Sequence, residues 1–416
     1  MKKNSITLKE INKKNILKII IDNGPISRID ISRLLNISRP TISAYITELI
    51  EEDFIKEIGK SHSSPSGGKK AVLLQFNNKS GYILGVMIGV KTIRIGISDL
   101  RSNIIKLIKI PTEEWQGPQT VINKIVDGAK ELLTMMDINK SNIIGVGIGV
   151  PGLVDSNFGL VIFSPNLTGW ENIKLQGILE NRFELPVFIE NECRVQAIAE
   201  KRFGLAKKKN DFVCFETGVG IGTGVFTNNE LLLGKNGIAG EVGHIITDLG
   251  GKKLCHCGNV GCLETLCSMG SLIEDIQEDV KSGKKSMIKP GDSLDISDVY
   301  KYYNLGDDVV VSNVMKNANY LGIGISNAIK MFNPEIIILQ GKVIEFGEKY
   351  LDRIKITVTE NTFPKVKDEY NIQYSKLGEK VGLIGATSIV FEKTFNLDNL
   401  NIAEEYMIRK TLRISS

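Results

Sequence analysis

The chain has 416 residues, 42% hydrophobic and 24% charged, with a mean hydropathy near zero; that length holds two or three domains and that balance is globular. No run of about 18 apolar residues occurs, so no membrane-spanning helix is expected, and the start, ITLKEINKKNILKIII, is broken by charge and lacks a signal peptide's apolar region. The net charge of +4 is unevenly placed: residues 1–76 hold 13 Lys/Arg and 8 Asp/Glu, and the rest hold 39 and 40. The excess positive charge therefore lies in the first fifth, which points that part toward a polyanion, in a protein expected in the cytoplasm.

Within that first fifth, Leu8, Ile11, Ile16, Ile19 and Ile20 recur at helical spacing. Asn23-Gly24-Pro25 ends this helix, since Pro25 cannot continue it. Ser27 is suited to cap a second helix to Leu35, burying Ile29 or Ile31 together with Leu34. After a short turn at Asn36-Ile37, Ser38 caps a third helix to about Asp53, with Pro40 in the first turn where its missing N–H is harmless. Three short helices with a tight turn between the last two predict a helix-turn-helix. Ala44, Leu49 and Ile50 are expected to face inward. Ser38, Arg39, Pro40, Thr41, Ser43 and Tyr45 lie on the part of the third helix that enters a major groove. Residues 54–59 and 71–76 read as two strands flanking the basic loop SHSSPSGGKK, a wing carrying Lys69 and Lys70. The first domain is thus placed at 1–76, with operator DNA as its partner.

From Tyr82 the pattern changes to strands rich in glycine. YILGVMIGV, TIRIGISDL and NIIKLIKIP read as successive strands, followed by a helix from about Pro118 to Met136 and a buried strand, NIIGVGIGV. A helix at 173–183, a strand in PVFIENE and a helix through Ala199 precede DFVCFETGVGIGTGVF, a glycine-interrupted hairpin. Residues 268–331 are mostly helical, NPEIIILQG returns to strand, and VGLIGATSIVFEKTF closes the chain's fold as a helix. Two successive halves of alternating strands and helices predict an α/β domain over 77–416 with a cleft between two lobes.

After that hairpin, Ala239 to Glu264 places His244, Cys255, Cys257 and Cys262 within nineteen residues. One histidine and three cysteines are a normal zinc set. The alternatives are local disulfides or buried thiols, and a reducing cytoplasm favours the metal. Cys193, Cys214 and Cys267 stand apart and are expected to be buried thiols. With four protein ligands and no open position, one structural zinc per chain is expected.

The stretches AGEVGH, CHCGNVGCLE, GVPGLVD, SPNLTGW and TGVGIGTG resemble those of the ROK family, and they spread over most of residues 82–390. The resemblance implies a two-lobed ribonuclease-H-like, actin-like fold, and a sugar cleft holding Asn166, Asn191, Glu192, Glu241, His244 and Glu264. The family includes sugar kinases and sugar-responsive repressors. A kinase of this kind has Asp-x-Gly-Gly-Thr in its first strand and turn, where this chain has Met87-Ile88-Gly89-Val90-Lys91. The kinase base, an Asp after Glu-Asn, is here Glu192, one methylene longer, and a late Gly-Gly-Gly is Gln340-Gly341-Lys342. Only the Thr217-Gly218-Val219-Gly220 turn is kept. These departures, with the fused DNA module, imply the repressor branch and no enzyme activity. The expected protein is a homodimer or dimer of dimers that answers to a monosaccharide, xylose first and glucose second; the alternative is a sugar kinase with an added DNA module.

Overall fold

The computed structural model describes residues 8–60, 70–363 and 370–395. It opens with α1 (Leu8–Asn23), β1 (Ile26–Ser27), α2 (Arg28–Leu35), α3 (Arg39–Glu51), β2 (Ile55–Lys60) and β3 (Val72–Phe76). Ser27 caps α2 by accepting from Asp30 N, and Ser38 caps α3 by accepting from Thr41 N, with Pro40 in the first turn. The three helices and the wing strands therefore form where caps and breakers place them. The sheet has a third strand that the pattern did not predict: β1 is only two residues long and pairs antiparallel with β3, giving the order β1-β3-β2.

Two inward faces differ from expectation. Leu34 is 62% exposed, and the inner side of α2 is filled by fully buried Ile31 with half-buried Leu35 beside it. On α3 the buried set is Ile42, Ile46 and Leu49, spaced three and four apart, while Ala44 faces solvent. That stripe is the one a 3.6-residue period demands once Ile42 is taken as its start. Leu8 and Ile11 are likewise exposed, and α1 buries Ile16, Leu17 and Ile20.

The first lobe is built from β4 (Tyr82–Ile88), β5 (Thr92–Asp99), β6 (Ile104–Pro111), α4 (Gly117–Met135), β7 (Ile143–Val150), β8 (Leu153–Asp155), β9 (Leu160–Phe163), β10 (Glu171–Ile173), α5 (Leu175–Phe183), β11 (Val187–Asn191) and α6 (Glu192–Phe203). Its main sheet has the order β11-β7-β4-β5-β6, with β11, β7 and β4 parallel and β5 and β6 antiparallel. The second lobe has β12 (Phe212–Thr217), β13 (Ile221–Thr227), β14 (Glu230–Leu231), α7 (Glu264–Cys267), α8 (Met269–Lys281), α9 (Ile296–Asn304), α10 (Asp308–Phe332), β15 (Ile336–Gly341), α11 (Gly347–Asn361) and β16 (Ile372–Tyr374). Its sheet, β14-β13-β12-β15-β16, repeats the plan of three parallel strands and an antiparallel pair.

The last helix, α12 (Val381–Phe395), crosses back and lies on the first sheet. Glycine makes this approach close: a Cβ on Gly147 of β7 would sit 1.8 Å from Ala386 O. The far end of α12 reaches the winged module. Phe391 and Phe395 pack against Phe76 at ring separations of 6.0 and 5.9 Å, and Phe395 packs against Phe54 at 6.1 Å. One apolar cluster consequently contains Ile16, Ile42 and Leu49 of the module and Ile83, Ile144 and Phe391 of the lobe. Among the described residues, no helix is long and apolar enough to cross a membrane.

Candidate functional site

The cleft lies between the lobes, outside the C-terminal ends of β7, β11 and β12, where open α/β sheets receive ligands. It encloses about 230 Å³. All six residues expected to meet a sugar, Asn166, Asn191, Glu192, Glu241, His244 and Glu264, line this one cavity. They come from four places: the turn after β9, the β11–α6 junction, the loop before the cysteines, and the start of α7.

Their side chains are not equally free. Asn191 caps α6, its Oδ1 accepting from the N–H groups of Cys193 (2.8 Å) and Arg194 (3.2 Å). Its amide also donates to Gly152 O at 2.8 Å, which leaves one N–H for a ligand. Glu264 Oε2 accepts from Ile221 N at 2.9 Å, so it braces the glycine turn between β12 and β13. Glu192, the first residue of α6, carries a carboxyl that burial pushes up to about 7 against the pull of Arg94. Burial also raises the Glu241 carboxyl, opposed by His244. Trp170 stays out of the cavity; it is buried in the first lobe's core beneath the 164–170 turn.

One functional candidate was missed. Glu216, near the end of β12, lines the same cavity as Glu192. Burial first, and the Glu192 charge second, push its carboxyl up to about 8. The available signal was a lone carboxylate in the apolar strand FVCFET, which a globular core tolerates only with a purpose or a partner. Behind it, Arg194 is spent elsewhere: its guanidinium reaches Gly237 O and Val154 O. Its Nη1 stands 3.1 Å from Glu190 Oε1 as an ion pair without hydrogen-bond alignment.

Beside the cavity, the ligand atoms of His244, Cys255, Cys257 and Cys262 all lie within 4.8 Å of one another, close enough to hold one metal ion. His244 Nδ1 is 3.6 Å from Cys255 Sγ, and the sulfurs of Cys257 and Cys262 are 3.7 Å apart. The loop that gathers them has two antiparallel bridges, Ile246 with Cys262 and Leu254 with Val260. Gly261 is obligatory in it, with φ +81° and a would-be Cβ 2.0 Å from Asp248 O. His244 and Cys257 belong both to this cluster and to the cleft lining. Cys193, Cys214 and Cys267 are buried thiols outside it, each raised by burial.

At the other end of the molecule, Ser38, Arg39 and Pro40 are exposed at the start of α3, and Lys70 is exposed before β3. Thr41 and Ser43 are half-buried, and Ser38 Oγ lies 2.7 Å from Thr41 Oγ1. Tyr45 packs partly against the module's apolar core. Lys69 lies outside the described residues. Two lysines of the basic excess are paired: Lys9 with Glu48, and Lys13 with Glu48 and Glu52. Arg39 makes no ion pair among the described residues.

The fold and its sites define a DNA-binding type of winged helix-turn-helix joined to a two-lobed α/β domain with a carboxylate-lined cleft and, at its edge, a cluster of one histidine and three cysteines. The chain belongs to the ROK family: that family's sequence pattern matches residues 83–393, and a winged helix-turn-helix DNA-binding pattern matches residues 9–56. It is 35% identical over 386 residues to the xylose repressor of Bacillus spizizenii, covering 92% of this chain and 96% of that protein. A solved ROK family transcriptional regulator, a homolog of the E. coli MLC protein, superposes with a TM-score of 0.81 at 27% identity, covering 96% of this chain and 99% of that one. A ROK family glucokinase from Streptomyces griseus, in complex with glucose and AMPPNP, gives a TM-score of 0.65 at 28% identity over 74% of this chain and 99% of that one. The kinase's shorter coverage fits a chain that has a DNA-binding module in addition.

Proposed function

We propose that the protein is a sugar-responsive transcriptional repressor whose winged module binds operator DNA and whose cleft takes a monosaccharide, xylose first and glucose second. The observation that carries this reading is one molecule that packs a winged helix-turn-helix onto the lobe holding a cleft of carboxylates, an amide and an imidazole. Polyhydroxyl ligands are recognised by such groups, because each hydroxyl both donates and accepts. Relatives named as repressors over nearly the whole length support the same reading. In it, Asn166, Glu192, Glu241, His244 and Glu264 meet the sugar, with the remaining N–H of Asn191. Ser38, Arg39, Pro40, Thr41, Ser43, Tyr45, Lys69 and Lys70 form the DNA face. The protein acts in the cytoplasm as a homodimer or dimer of dimers, one module per half-site.

We also infer that His244, Cys255, Cys257 and Cys262 hold one zinc ion per chain. Two sulfurs on a tetrahedral zinc stand about 3.8 Å apart, and a sulfur and an imidazole nitrogen about 3.6 Å; the spacings of 3.7 and 3.6 Å match both edges. When bound, the ion supplies a structural tether with no open position. His244 uses Nδ1 on the metal side, which leaves Nε2 for a sugar hydroxyl, and the tethered loop carries Glu241 to the cleft. Sugar changes DNA affinity only through a difference in its affinity for two arrangements of the molecule.

A gel-shift titration tests the reading. Xylose or glucose is expected to change operator binding at millimolar concentration, and no response to any common pentose or hexose would remove the effector claim. Metal analysis is expected to return about one zinc per chain. A second reading, a sugar kinase with an added DNA module, is favoured by Glu192, whose carboxyl at about 7 sits in the range of a general base. Against it, Val90 rather than a glycine lines the cleft, beside the first strand. A coupled assay of ATP turnover with each sugar separates the two, and no turnover is expected.

A further inference from the structure

The cleft's charges say which sugars it accepts. Its lining carries four carboxyl groups, Glu192, Glu216, Glu241 and Glu264, and, among the described residues, no lysine or arginine. Two neighbouring cations are engaged outside it: Arg194 is bound to Glu190 and backbone carbonyls, and Arg94 donates to Glu379 O at 3.0 Å. Lys342 does not line the cleft and acts on Glu216 through space.

Features that receive phosphate in other proteins are also filled here by the protein's own oxygens. The N-terminus of the twelve-residue helix α6 opens on the cleft, and such ends attract anions, yet two of its N–H groups are held by Asn191 Oδ1. Its first residue is itself an acid, Glu192. The glycine turn after β12 is closed in the same way: Gly218 N donates to Gly220 O at 3.0 Å and Ile221 N to Glu264.

Glu216 completes this arrangement. It lines the same cavity as Glu192 and feels that residue's charge, the amide of Gln196 steadies it, and its Oε2 is buried without a hydrogen-bond partner among the described residues. Its place is fixed by Gly341, where a Cβ would come within 2.7 Å of Glu216 Oε1. A carboxylate in the cleft wall repels a phosphate through space, while an uncharged hydroxyl meets no such penalty.

We propose that Glu216, acting with Glu192, is a charge filter that limits the cleft to uncharged sugars and shuts out sugar phosphates and nucleotides. The filter rests on the cleft being a sugar site, and it adds the class of sugar. An effector for this protein is then the free sugar, before any phosphoryl-transfer step has acted on it.

Calorimetry on the full-length, metal-loaded protein at pH 8.5 tests this, using xylose, glucose and their 5- and 6-phosphate esters, with ATP as a further anion. A free sugar is expected to bind, while its own phosphate ester and ATP bind at least about tenfold more weakly, the scale of one added like charge in a partly hydrated cleft. Glu216→Gln is expected to narrow that ratio by about tenfold, and Glu216→Asp, which keeps the charge, to preserve it. An ester that binds the unmodified protein as tightly as its free sugar overturns the filter, as does a ratio unmoved by Glu216→Gln. Should Glu216→Gln fail to fold, the ratio in the unmodified protein decides alone. Binding of no free sugar at all instead removes the sugar reading, and the filter falls with it.

Discussion

The winged module and the cysteine loop are both small, and they are held by opposite means. The module shares an apolar core with the lobe beneath it: Phe54 and Phe76 meet Phe391 and Phe395, and Leu49, Ile42 and Ile16 are fully buried behind them. The loop from Ala239 to Glu264 has little core of its own. Val242, Cys255, Cys262 and Leu263 are buried, but Leu249 is 95% exposed, Leu254 71% and Ile246 51%. Hydrophobic burial fixes the module; Val242 and Leu263 anchor the loop's ends in the second lobe's core, and between them a few turns, two bridges and the cluster of His244 with its three cysteines hold it. The region proposed to report to DNA therefore shares a core with the lobe, whereas the region proposed to meet the ligand would depend on a removable tether, the metal inferred at this cluster.

Removing that tether is the strongest way to break the comparison. Structural zinc contributes on the order of 10 kcal/mol to small metal-dependent folds, so chelation or Cys257→Ser should undo the loop while sparing the module. Thermal denaturation is expected to show a midpoint lower by several degrees, and the sugar effect on operator binding should vanish. Binding to operator without sugar should persist. A metal-free protein that still responds to sugar would show that the loop holds itself.

The complementary change is Phe391→Ala. Phe391 is 6% exposed, packs on Phe76 and Phe395, and lies under the Arg202 guanidinium at 4.5 Å. Truncating a buried aromatic costs about 3–5 kcal/mol, measurable in urea unfolding. Because α12 also packs on α6, whose first residue is in the cleft, this variant should bind sugar normally and pass less of the signal to DNA. A loss below about 1 kcal/mol would mean that the aromatic joint does not hold the module.

A milder change probes the module's outer face. Arg39→Ala removes an exposed cation that has no ion pair among the described residues. Operator affinity is expected to fall about tenfold, with a salt slope smaller by about 1 if the contact is to phosphate. Stability should stay within about 0.5 kcal/mol. A binding isotherm at several salt concentrations unchanged from the parent would take Arg39 out of the interface.

The same contrast explains what the sequence revealed. The module's helices were legible because their ends are marked locally by Ser27, Ser38 and Pro40. Spacing alone gathered His244 with the three cysteines, since ligands within nineteen residues have few ways to be elsewhere. What stayed hidden depends on distant partners. β1 exists only because Ile26 and Ser27 find β3, nearly fifty residues on. The aromatic joint needs Phe76 to meet Phe391, and nothing in either stretch announces the other. On short α2, Ile29 and Ile31 were the alternatives beside Leu34, and the neighbours chose Ile31 and left Leu34 exposed. Glu216 was hidden for the same reason: its meaning comes from Glu192, which approaches from the other lobe.

The smallest expected effect comes from that carboxyl pair, and its sign is fixed. Both folded-state values, about 7 for Glu192 and about 8 for Glu216, lie above the ordinary 4.5. Between those limits the folded protein binds protons that the unfolded chain has released, so stability declines as pH rises. The contribution is fully present below about pH 4.5, fades through pH 7 to 8, and is gone above both values. Glu190, Glu241 and Glu392, also raised by burial, push the ligand-free protein in the same direction. Glu216→Gln isolates one member: its melting temperature should fall less steeply than the parent's between pH 6 and pH 8.5, by roughly a few degrees. Parallel curves for the two proteins would show that Glu216 releases its proton as an ordinary glutamate does. Glu216 would then already be ionised at pH 6, and burial at the end of β12 would have no influence on which ligands the cleft admits.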